Sequence, residues 1–479
     1  MLTNLNTPIT NSSGDTNYDF AIIGAGAAGI TLARKLSLRG HTVALMEAGD
    51  YEFSGESQEV YEAQVVGDPY FQLDVSRLRF FGGATNHWGG MCRTFEAIDF
   101  QRGYLGPEFE WPIIKSDIDK YIQEASNILE IPLIEDDQVI ENSNLREIAF
   151  KLSPRNLKRE VPVNFRDKYF KDLVKDKNIH VFVNTNLTDI TVDAGKINTA
   201  FFEGFSGNKI SIKATKYIFC MGGIENSRYL LFFKKKYGNK FFSGSLPLGK
   251  YWMEHPHADL GETVIKKSKN IDMYRYFAVK ESIQKELSIL NCGLRVHFHK
   301  RAESKKMIAD IICLAPKLGK KLLKMANHDL VCGATFSAAW EQAPNKENRV
   351  ILDSEIDKFG IPKPILHWKK FPIDTETLKQ SITQFNRWLL DNDVGRIQLK
   401  SWVFDNYNFP DGLKGGHHHM GGTRMHKNPT YGVVDSDCKV FGMQNLYMAG
   451  SSIFTTGGHN NPTLPILQFS LRLVDHLSK

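Results

Sequence analysis

The 479-residue sequence lacks most of the features that mark specialised classes of protein. No apolar run reaches the roughly 18 residues of a membrane-spanning helix. The stretch from Met1 to Asn17 has neither a basic start nor an apolar core, which argues against a signal peptide and favours a frayed tail. The six cysteines form no CxxC pair, so neither a zinc site nor a disulfide framework is predicted. We expect a cytoplasmic protein with reduced thiols.

Charge and composition narrow the class further. A net charge of +6 over this length is too small to predict binding to nucleic acid. A hydrophobic content of 42% and a charged content of 24% are typical of a globular protein in water. Because single cores seldom grow beyond about 250–300 residues, the length predicts two or three domains, and two domains with insertions are favoured.

The region from Tyr18 to Glu47 carries the first positive signal. A short apolar strand runs into Gly24-Ala-Gly26-Ala-Ala-Gly29, a helix follows at residues 30–38, and a second strand ends at Glu47. In this pattern the first glycine permits a tight turn, the second lets a diphosphate approach the backbone, and the third lets helix and strand pack closely. The helix N-terminus attracts the diphosphate, and the carboxylate can accept hydrogen bonds from a ribose. We therefore predict a dinucleotide site rather than an ordinary glycine-rich turn. The neighbouring residues assigned to it are Ala27, Ala28 and Ala48.

A second nucleotide fingerprint is missing. A strand at residues 217–220 leads into Gly222-Gly223 and an apolar helix, but the GxGxxG spacing is not there. A reductase that passes electrons from a nicotinamide to a flavin usually needs two such fingerprints. If the dinucleotide is FAD, its electrons must therefore come from the substrate.

A glycine-rich loop with aromatic residues lies further along the chain. Residues 79–90 read RFFGGATNHWGG, so four glycines surround a polar and aromatic centre. A plain surface loop is the ordinary interpretation, but adjacent His and Trp side chains favour backbone held against a flat or bulky ligand. The candidate residues of this loop are Gly82, Gly83, Thr85, Asn86, His87 and Trp88.

The middle of the chain predicts first helices and then strands. Apolar residues recur at helical spacing through much of residues 107–174, so this region is predicted to be mostly helical. Three strands that follow, at residues 179–183, 188–192 and 210–214, predict a small β-meander.

A second domain is predicted beyond residue 257. A helix at residues 374–391 follows a set of strands that indicates an antiparallel sheet. Residues 317–325 are basic and amphipathic, so peripheral contact with an anionic membrane is one interpretation, although a solvated surface helix is favoured. The predicted strands are residues 293–298, 308–314, 334–340 and 350–352.

The C-terminal region is the most informative. Residues 415–425 read GGHHHMGGTRM and residues 457–463 read GGHNNPT, on either side of a strand at residues 445–451. No metal site is predicted at the histidines, because adjacent side chains point in different directions and no carboxylate follows at ligand spacing. Asn461 precedes Pro462 and a final helix that ends at Leu477. Its amide is either a plain helix N-cap or a polar group aimed into a site.

Six motifs follow one another from residue 18 to the C-terminal helix. They are Gly24-x-Gly26-x-x-Gly29 with Glu47, GGATNHW at 82–88, GIENSR at 223–228, MEHP at 253–256, HMGGTRM at 419–425 and NPT at 461–463. In this order they resemble the motifs of the glucose–methanol–choline (GMC) oxidoreductases. The resemblance covers nearly the whole chain.

This resemblance implies FAD as the cofactor and an alcohol group, often on a sugar, as the substrate. The family's catalytic pair falls on His419 and Asn461, a His/Asn version similar to that of pyranose oxidases and cellobiose dehydrogenases. His87 falls where pyranose oxidases carry a histidine bonded covalently to the flavin, and whether the bond forms here stays open. The remaining residues that are expected to contact FAD are Leu187, Gly222, Gly450, Ser451, Asn461, Pro462 and Thr463.

The expected chemistry is hydride transfer from carbon to flavin N5. The hydroxyl needs a base, and we expect His419 in this role because an imidazole of pKa about 6.5 is largely neutral at pH 7. The Asn461 amide is expected to donate a hydrogen bond to the substrate oxygen. His417 and His418 are expected to pack or to cap the turn.

The predicted fold is α/β. It has a Rossmann-like FAD-binding domain, whose parallel sheet carries a β-meander, and an α+β substrate-binding domain with a mainly antiparallel sheet. The FAD-binding domain is expected to comprise residues 1–108, 180–257 and 412–479. The substrate-binding domain is expected to comprise residues 109–179 and 258–411.

The expected partners are a small-molecule alcohol or sugar and an electron acceptor. The acceptor is a quinone, a redox protein or oxygen, and a non-oxygen acceptor is favoured because a cytoplasmic oxidase would release peroxide beside its own metabolism. Two alternatives to an alcohol-oxidising enzyme are also considered. One is a flavin-containing lyase or isomerase of the same fold, and the other is a flavin-binding protein without catalysis.

Overall fold

The computed structural model of the protein describes residues 1–8, 17–133, 137–152, 162–265, 274–298, 315, 334–405, 409–410, 412–413 and 415–479. In chain order the strands are β1 Leu2–Asn4, β2 Asn17–Ile23, β3 Val43–Met46, β4 Gln64–Gly67, β5 Met91–Cys92, β6 Gln138–Val139, β7 Leu145–Ile148, β8 Lys151–Leu152, β9 Ile179–Val183, β10 Asn186–Asp193, β11 Lys196–Glu203, β12 Lys209–Phe219, β13 His257–Ile265, β14 Tyr274–Val279, β15 Cys292–Phe298, β16 Ala334–Trp340, β17 Arg349–Ile356, β18 Pro362–Trp368, β19 Gly395–Leu399 and β20 Leu446–Met448. The α-helices are α1 Ala27–Ser37, α2 Gly55–Glu59, α3 Ser116–Asp119, α4 Ile122–Leu129, α5 Phe165–Lys175, α6 Gly222–Tyr237, α7 Glu281–Leu287, α8 Pro372–Asp391, α9 Ser401–Phe404 and α10 Thr463–Leu477.

The first sheet is a parallel sheet extended by an antiparallel meander. Its strand order is β1-β9-β3-β2-β12-β11-β10, and β20 also pairs with β12. Pairing is parallel from β1 through β12 and to β20, and antiparallel from β12 through β11 to β10. Strands β3 and β9 are buried along their whole length, as expected for central strands covered on both faces. The predicted parallel sheet with its meander is confirmed.

The predicted strand–turn–helix unit is confirmed as β2, the glycine turn, α1 and β3. Gly24 takes a left-handed φ of 105°, which suits the tight turn that glycine allows. A Cβ on Gly29 would overlap the carbonyl oxygen of Gly24, whereas a Cβ on Gly26 would have no atom within 4 Å. The third glycine is therefore needed for packing, and the second leaves its side of the turn open.

Two strand predictions in this domain are wrong in detail. Residues 179–183 were predicted in the meander, but β9 lies between β1 and β3 in the parallel part. Residues 210–214 and 217–220 were predicted as separate strands, but they form one long strand, β12, which pairs with both the meander and β2. The buried Tyr217 hydroxyl, which donates to the Ile212 and Asn198 carbonyls, ties the two parts of this strand together.

The second sheet is antiparallel and belongs to a separate core. Its order is β19-β13-β16-β15-β14-β7-β6. Helix α8 covers one face, with Leu378, Ile382, Phe385 and Leu389 packed against the sheet. The predicted antiparallel sheet is confirmed for residues 293–298 and 334–340, and the predicted helix is confirmed as α8, but residues 350–352 were wrongly assigned to this sheet and belong to β17 of a third sheet. The mostly helical prediction for residues 107–174 holds for α3, α4 and α5 but is wrong around β7, where Leu145 and Ile148 are buried in the sheet.

A third, small sheet connects distant parts of the chain. Its order is β17-β18-β4, so strands near residue 360 pair with a strand near residue 65. Helices α3, α4 and α5 pack on the first core, together with α1 and α10. Both features mix the chain segments that were assigned to different domains, and the exact domain limits stay a prediction.

The N-terminus is tied down rather than frayed. Strand β1 pairs with β9, and the Met1 ammonium group donates to the Val174 carbonyl at 2.7 Å. In the described part of the chain, no helix is long and apolar enough to cross a membrane. The described cysteines, Cys92, Cys220, Cys292 and Cys438, are buried free thiols. The predicted strand at residues 308–314, the basic segment at 317–325, Cys313 and Cys332 lie outside the described residues.

The glycine turn generates a paired prediction. Gly29→Ala should lower the free energy of unfolding by about 3 kcal/mol or more, because the new methyl group overlaps backbone that has no room to move. Gly26→Ala is the matched control and, when both variants are measured without FAD, should keep the thermal unfolding midpoint near that of the wild type, since its methyl group enters open space. Thermal unfolding of the two variants would contradict this account if their midpoints fell equally.

Candidate active site

A single cavity of about 600 Å³ joins the glycine turn to the C-terminal region. The sequence analysis assigned residues to this site from eight separate stretches of chain. Those that line the cavity are Gly24, Gly26, Ala27, Ala28, Glu47, Ala48, Gly83, Thr85, His87, Trp88, Leu187, Gly222, His419, Gly450, Ser451, Asn461, Pro462 and Thr463. Gly29, Gly82 and Asn86 do not line the cavity. They belong to the turn and the loop that form its walls.

The glycine turn and Glu47 form one end of the cavity. The Glu47 carboxylate is buried and accepts hydrogen bonds from the backbone N–H groups of Ala25, at 2.9 Å, and Gly49, at 3.1 Å. Burial raises the pKa of this carboxyl above its usual range. The side chain is therefore held at the end of β3, beside the open side of Gly26.

The loop from Gly82 to Trp88 forms one wall, and its polar side chains mostly brace it. The Asn86 amide donates to the carbonyls of Phe81 and Gly83, both at 2.9 Å, and the Thr85 hydroxyl donates to the Gly82 carbonyl at 2.7 Å. The indole N–H of Trp88 donates to the Val163 carbonyl at 2.8 Å. These bonds fix the loop so that His87 lines the cavity.

Asn461 lies at the other end, and its predicted role as a helix N-cap is wrong. Helix α10 begins at Thr463, its N-cap position is Pro462, and no side chain caps it. The Asn461 amide instead donates to the Met91 carbonyl at 2.8 Å. Because the amide is oriented by this backbone bond rather than by the helix, it stays in the cavity lining.

The three adjacent histidines take separate environments. The His417 ring stacks on Phe71, with the ring centroids 3.9 Å apart. Nδ1 of His418 lies 2.8 Å from Nδ1 of His255. The His419 ring lies 5.5 Å from the Trp252 ring, and its Nε2 is fully buried with no hydrogen-bond partner among the described residues.

Glu254 is a site residue to which the sequence analysis gave no role. Its Oε1 accepts the backbone N–H groups of His255, at 2.8 Å, and His418, at 2.7 Å, while its Oε2 accepts the Tyr70 hydroxyl. The side chain is fully buried, and burial raises its pKa to about 7. The available signal was the MEHP motif, in which a carboxylate precedes a histidine at the start of β13.

Burial controls the protonation of the histidines. It lowers the pKa of His255 to about 3 and holds the pKa values of His418 and His419 well below the usual range. All three imidazoles are therefore neutral at neutral pH, and a neutral imidazole has one nitrogen that can accept a proton.

Two family models match separate parts of the chain. Residues 344–470 match GMC oxidoreductase, and residues 19–150 match FAD dependent oxidoreductase. The C-terminal part of this chain is a GMC oxidoreductase domain, and the N-terminal part is an FAD-dependent oxidoreductase domain. The matched regions contain the glycine turn and Glu47 in one case, and the histidine and Asn461 segments in the other.

Known proteins similar to this enzyme include one relative in sequence and several in structure. The 6'''-hydroxyparomomycin C oxidase of Streptomyces lividus is 29% identical over 129 residues, which is 27% of this chain and 22% of that protein. The crystal structure of pyridoxine 4-oxidase from Mesorbium loti has a TM-score of 0.60 at 14% identity, over 96% of this chain and 99% of that one. A formate oxidase structure has a TM-score of 0.57 at 14% identity, over 96% and 98% of the two chains.

The residues of the cavity fit FAD. The open side of Gly26 admits a diphosphate at the N-terminus of α1, and Glu47 offers a carboxylate where a ribose diol is expected. The lining then continues past Leu187 and the loop at Gly83 to Asn461. For each of these residues, direct contact with FAD stays a prediction.

The buried histidines predict that acid destabilises the enzyme. Their pKa values are lowered in the fold, so between about pH 6.5 and pH 3 the unfolded chain binds more protons, and stability falls as the pH falls through this window. The buried carboxyl of Glu254, with its raised pKa, opposes the trend but is a single group within this cluster. The thermal unfolding midpoint should be lower at about pH 5 than at about pH 7.5. His419→Phe, which removes one buried proton acceptor, should make the decline shallower, and an unchanged slope would contradict this explanation.

Proposed function

We propose that the enzyme oxidises an alcohol group of a small hydroxylated molecule to a carbonyl, with His418 as the base. The observation that carries the proposal is the position of a neutral, hydrogen-bonded imidazole in the same cavity as the glycine turn, Glu47 and Asn461. An alcohol must lose a proton from oxygen as well as a hydride from carbon, and such a neutral imidazole is suited to take the proton.

His418 is proposed as the base in place of the predicted His419 because the two rings differ in whether a substrate can reach their Nε2 atoms. His418 is half-buried, and its Nδ1 is engaged with His255, which leaves Nε2 for a ligand. Nε2 of His419 is fully buried even without a ligand, beside the rings of Trp252 and Tyr70. The prediction that His419 is the base is therefore kept as the competing assignment in the experiment below.

Asn461 is proposed to orient the alcohol. One of its amide N–H groups is used by the Met91 carbonyl, which fixes the plane of the side chain and leaves a second N–H. That group can donate to the substrate oxygen while His418 accepts the hydroxyl proton at Nε2. Bound FAD supplies the acceptor for the hydride. The residues of this chain thus hold the oxygen and take its proton.

The substrate class is proposed from the chemistry of the site and from the relatives. The proteins similar in sequence or structure are named for oxidation of 6'''-hydroxyparomomycin C, pyridoxine and formate. The first two names indicate hydroxylated small molecules, in line with an alcohol or a sugar. All three are named oxidases, which favours oxygen over the non-oxygen acceptor expected from the sequence.

The base assignment generates a prediction with a matched control. His418→Ala should slow anaerobic flavin reduction by about 10²–10⁴-fold, the usual contribution of a general base. His419→Phe should leave the rate near that of the wild type, because an aromatic ring is retained between Trp252 and Tyr70. FAD content should be unchanged in both. A slow His419→Phe variant beside a fast His418→Ala variant would restore the original assignment, and two fast variants would remove both histidines from the mechanism.

Removing the Asn461 amide should slow flavin reduction less than removing the His418 imidazole. Asn461→Ala loses a neutral hydrogen bond to the substrate, so flavin reduction should slow by about 3–10-fold, the equivalent of roughly 1 kcal/mol. The unfolding midpoint should change little, since Asn461 does not cap α10. A loss as large as that of His418→Ala would show that the amide does more than position the substrate.

Substrate and acceptor can be identified together. An anaerobic panel of sugars, amino sugars and simple alcohols should bleach the visible absorbance of the flavin with at least one compound. The same compound in air should then produce peroxide if oxygen is the acceptor. Turnover of a compound without bleaching would favour the lyase or isomerase alternative instead. Bleaching without peroxide would favour the quinone or redox protein that the sequence analysis predicted.

A further inference from the structure

We propose that His255 sets the tautomer of His418, so that the Nε2 atom of His418 is the unprotonated nitrogen, and that Glu254 holds the two residues in register. Both would be positioning residues, since neither is proposed to touch the substrate. This inference rests on the proposed function, because it concerns the base of that reaction.

A backbone carbonyl determines which nitrogen of His255 carries the proton. Its Nε2 lies 3.2 Å from the carbonyl oxygen of Gly457. A carbonyl oxygen can only accept a hydrogen bond, so Nε2 of His255 must carry the proton. This backbone contact comes from the segment just before Asn461, and the ring therefore bridges two parts of the site.

The near nitrogen of His255 must then be an acceptor. His255 is buried, with 1% of its surface exposed, and burial disfavours the doubly protonated ring. A neutral imidazole with a proton on Nε2 has a lone pair on Nδ1. The two Nδ1 atoms of His255 and His418 lie 2.8 Å apart, so one of them has to donate. The donor is Nδ1 of His418.

His418 in turn is neutral, with its single proton on Nδ1. Its Nε2 therefore has a free lone pair, which is the form that accepts a proton from an alcohol. When it does, the O–H bond of the substrate breaks and an N–H bond forms at Nε2, while the C–H electron pair leaves as the hydride of the proposed function. The Nδ1–H bond to His255 persists throughout, because the ring keeps that proton in both states.

The backbone around this pair is fixed by Glu254. Its carboxylate binds the N–H groups of both His255 and His418, and the two chain stretches are also joined by reciprocal backbone bonds between Met253 and Met420, at 2.8 and 3.0 Å. A misplaced ring of even about 1 Å would weaken proton transfer. The titratable groups around the two rings are Glu254, His257, His417, His419 and His459.

A neutral imidazole beside His418 affects the pKa of that base differently from a carboxylate. A carboxylate beside His418 would favour the imidazolium and raise the pKa of the base. An imidazole fixes the same tautomer without adding a negative charge. The base would then remain unprotonated in mildly acidic solution, where a histidine paired with a carboxylate is charged.

The test uses two variants of similar shape. Asn places its amide oxygen, and Leu a methyl group, at the position of Nδ1 in His255. His255→Asn retains an acceptor for His418 and should reduce its flavin within about threefold of the wild-type rate. His255→Leu has no acceptor and should be slower by at least about tenfold, because the ring can then adopt the wrong tautomer and orientation. FAD content and the unfolding midpoint of each variant serve as controls. Equal rates for the two variants would overturn the proposal.

A third variant gives a readout that a merely structural residue would not change. His255→Asp puts a carboxylate at the same position, so the pKa seen in the pH dependence of flavin reduction should shift upward. An unshifted profile in a folded, FAD-loaded His255→Asp enzyme would contradict the assigned contact. A failure of the proposed function would be recognised by a different result, because His418→Ala would then reduce its flavin at the wild-type rate.

The wild-type holoenzyme offers a measurement that does not depend on any variant of His255. Nitrogen-15 spectra of protein labelled at histidine distinguish a proton on Nδ1 from one on Nε2, and the signal of His418 is identified by its loss in His418→Ala. We expect His418 in the form protonated at Nδ1. A signal that shows the proton on Nε2 would overturn the proposal, whatever the rates of the variants.

Discussion

A buried carboxylate holds the candidate active site together. Glu254 is fully enclosed, and a charge or a polar acid in such a place is costly unless its oxygens are hydrogen bonded. Its partners are two backbone N–H groups on different chain stretches and the Tyr70 hydroxyl on a third. The chain at Gly415 passes so close that a Cβ there would overlap the Glu254 side chain. The position of His255 relative to His418 depends on this group together with the reciprocal backbone bonds between Met253 and Met420.

The site extends from the parallel sheet toward the chain segment that leads into the antiparallel sheet. The glycine turn and Glu47 follow the carboxyl ends of β2 and β3, the edge at which open parallel sheets bind their ligands. From Glu254 the chain passes directly into β13 of the antiparallel sheet. The cofactor end of the cavity is thus built on a rigid parallel sheet, while the residues around the histidines come from the connection between the two cores.

The parts that the sequence predicted well are those with local signals. The turn around Gly24 to Gly29 follows from glycine spacing between two apolar strands, and α8 and the strands β15 and β16 follow from periodicity. Residues 179–183 were misplaced because an apolar strand reads the same in a meander and in a parallel sheet, and only long-range pairing distinguishes the two. Residues 145–148 were misread for the same reason, since their burial depends on β14, far along the chain.

The prediction of active-site residues is limited in the same way, because contacts between distant parts of the chain cannot be read from local sequence. Spacing identified a histidine motif and Asn461, but three adjacent histidines differ in sequence only by position. What separates His418 from His419 is the surroundings of each ring, which come from residues about 165 positions earlier in the chain. The cap predicted for Asn461 failed because Met91, which lies 370 positions earlier in the chain, binds its amide.

The order of strands in the first sheet has a consequence for how the protein is made. Strand β12 in the middle of that sheet pairs with β20, and α1 packs against α10, so a segment that leaves the ribosome long after the N-terminal strands completes the region that surrounds the first glycine turn. The walls at Gly450 and Asn461 do not exist until then. During synthesis, the nucleotide pocket at the N-terminal strands therefore stays incomplete, and stable uptake of the cofactor becomes a late event in biogenesis, after β20 and α10 have left the ribosome.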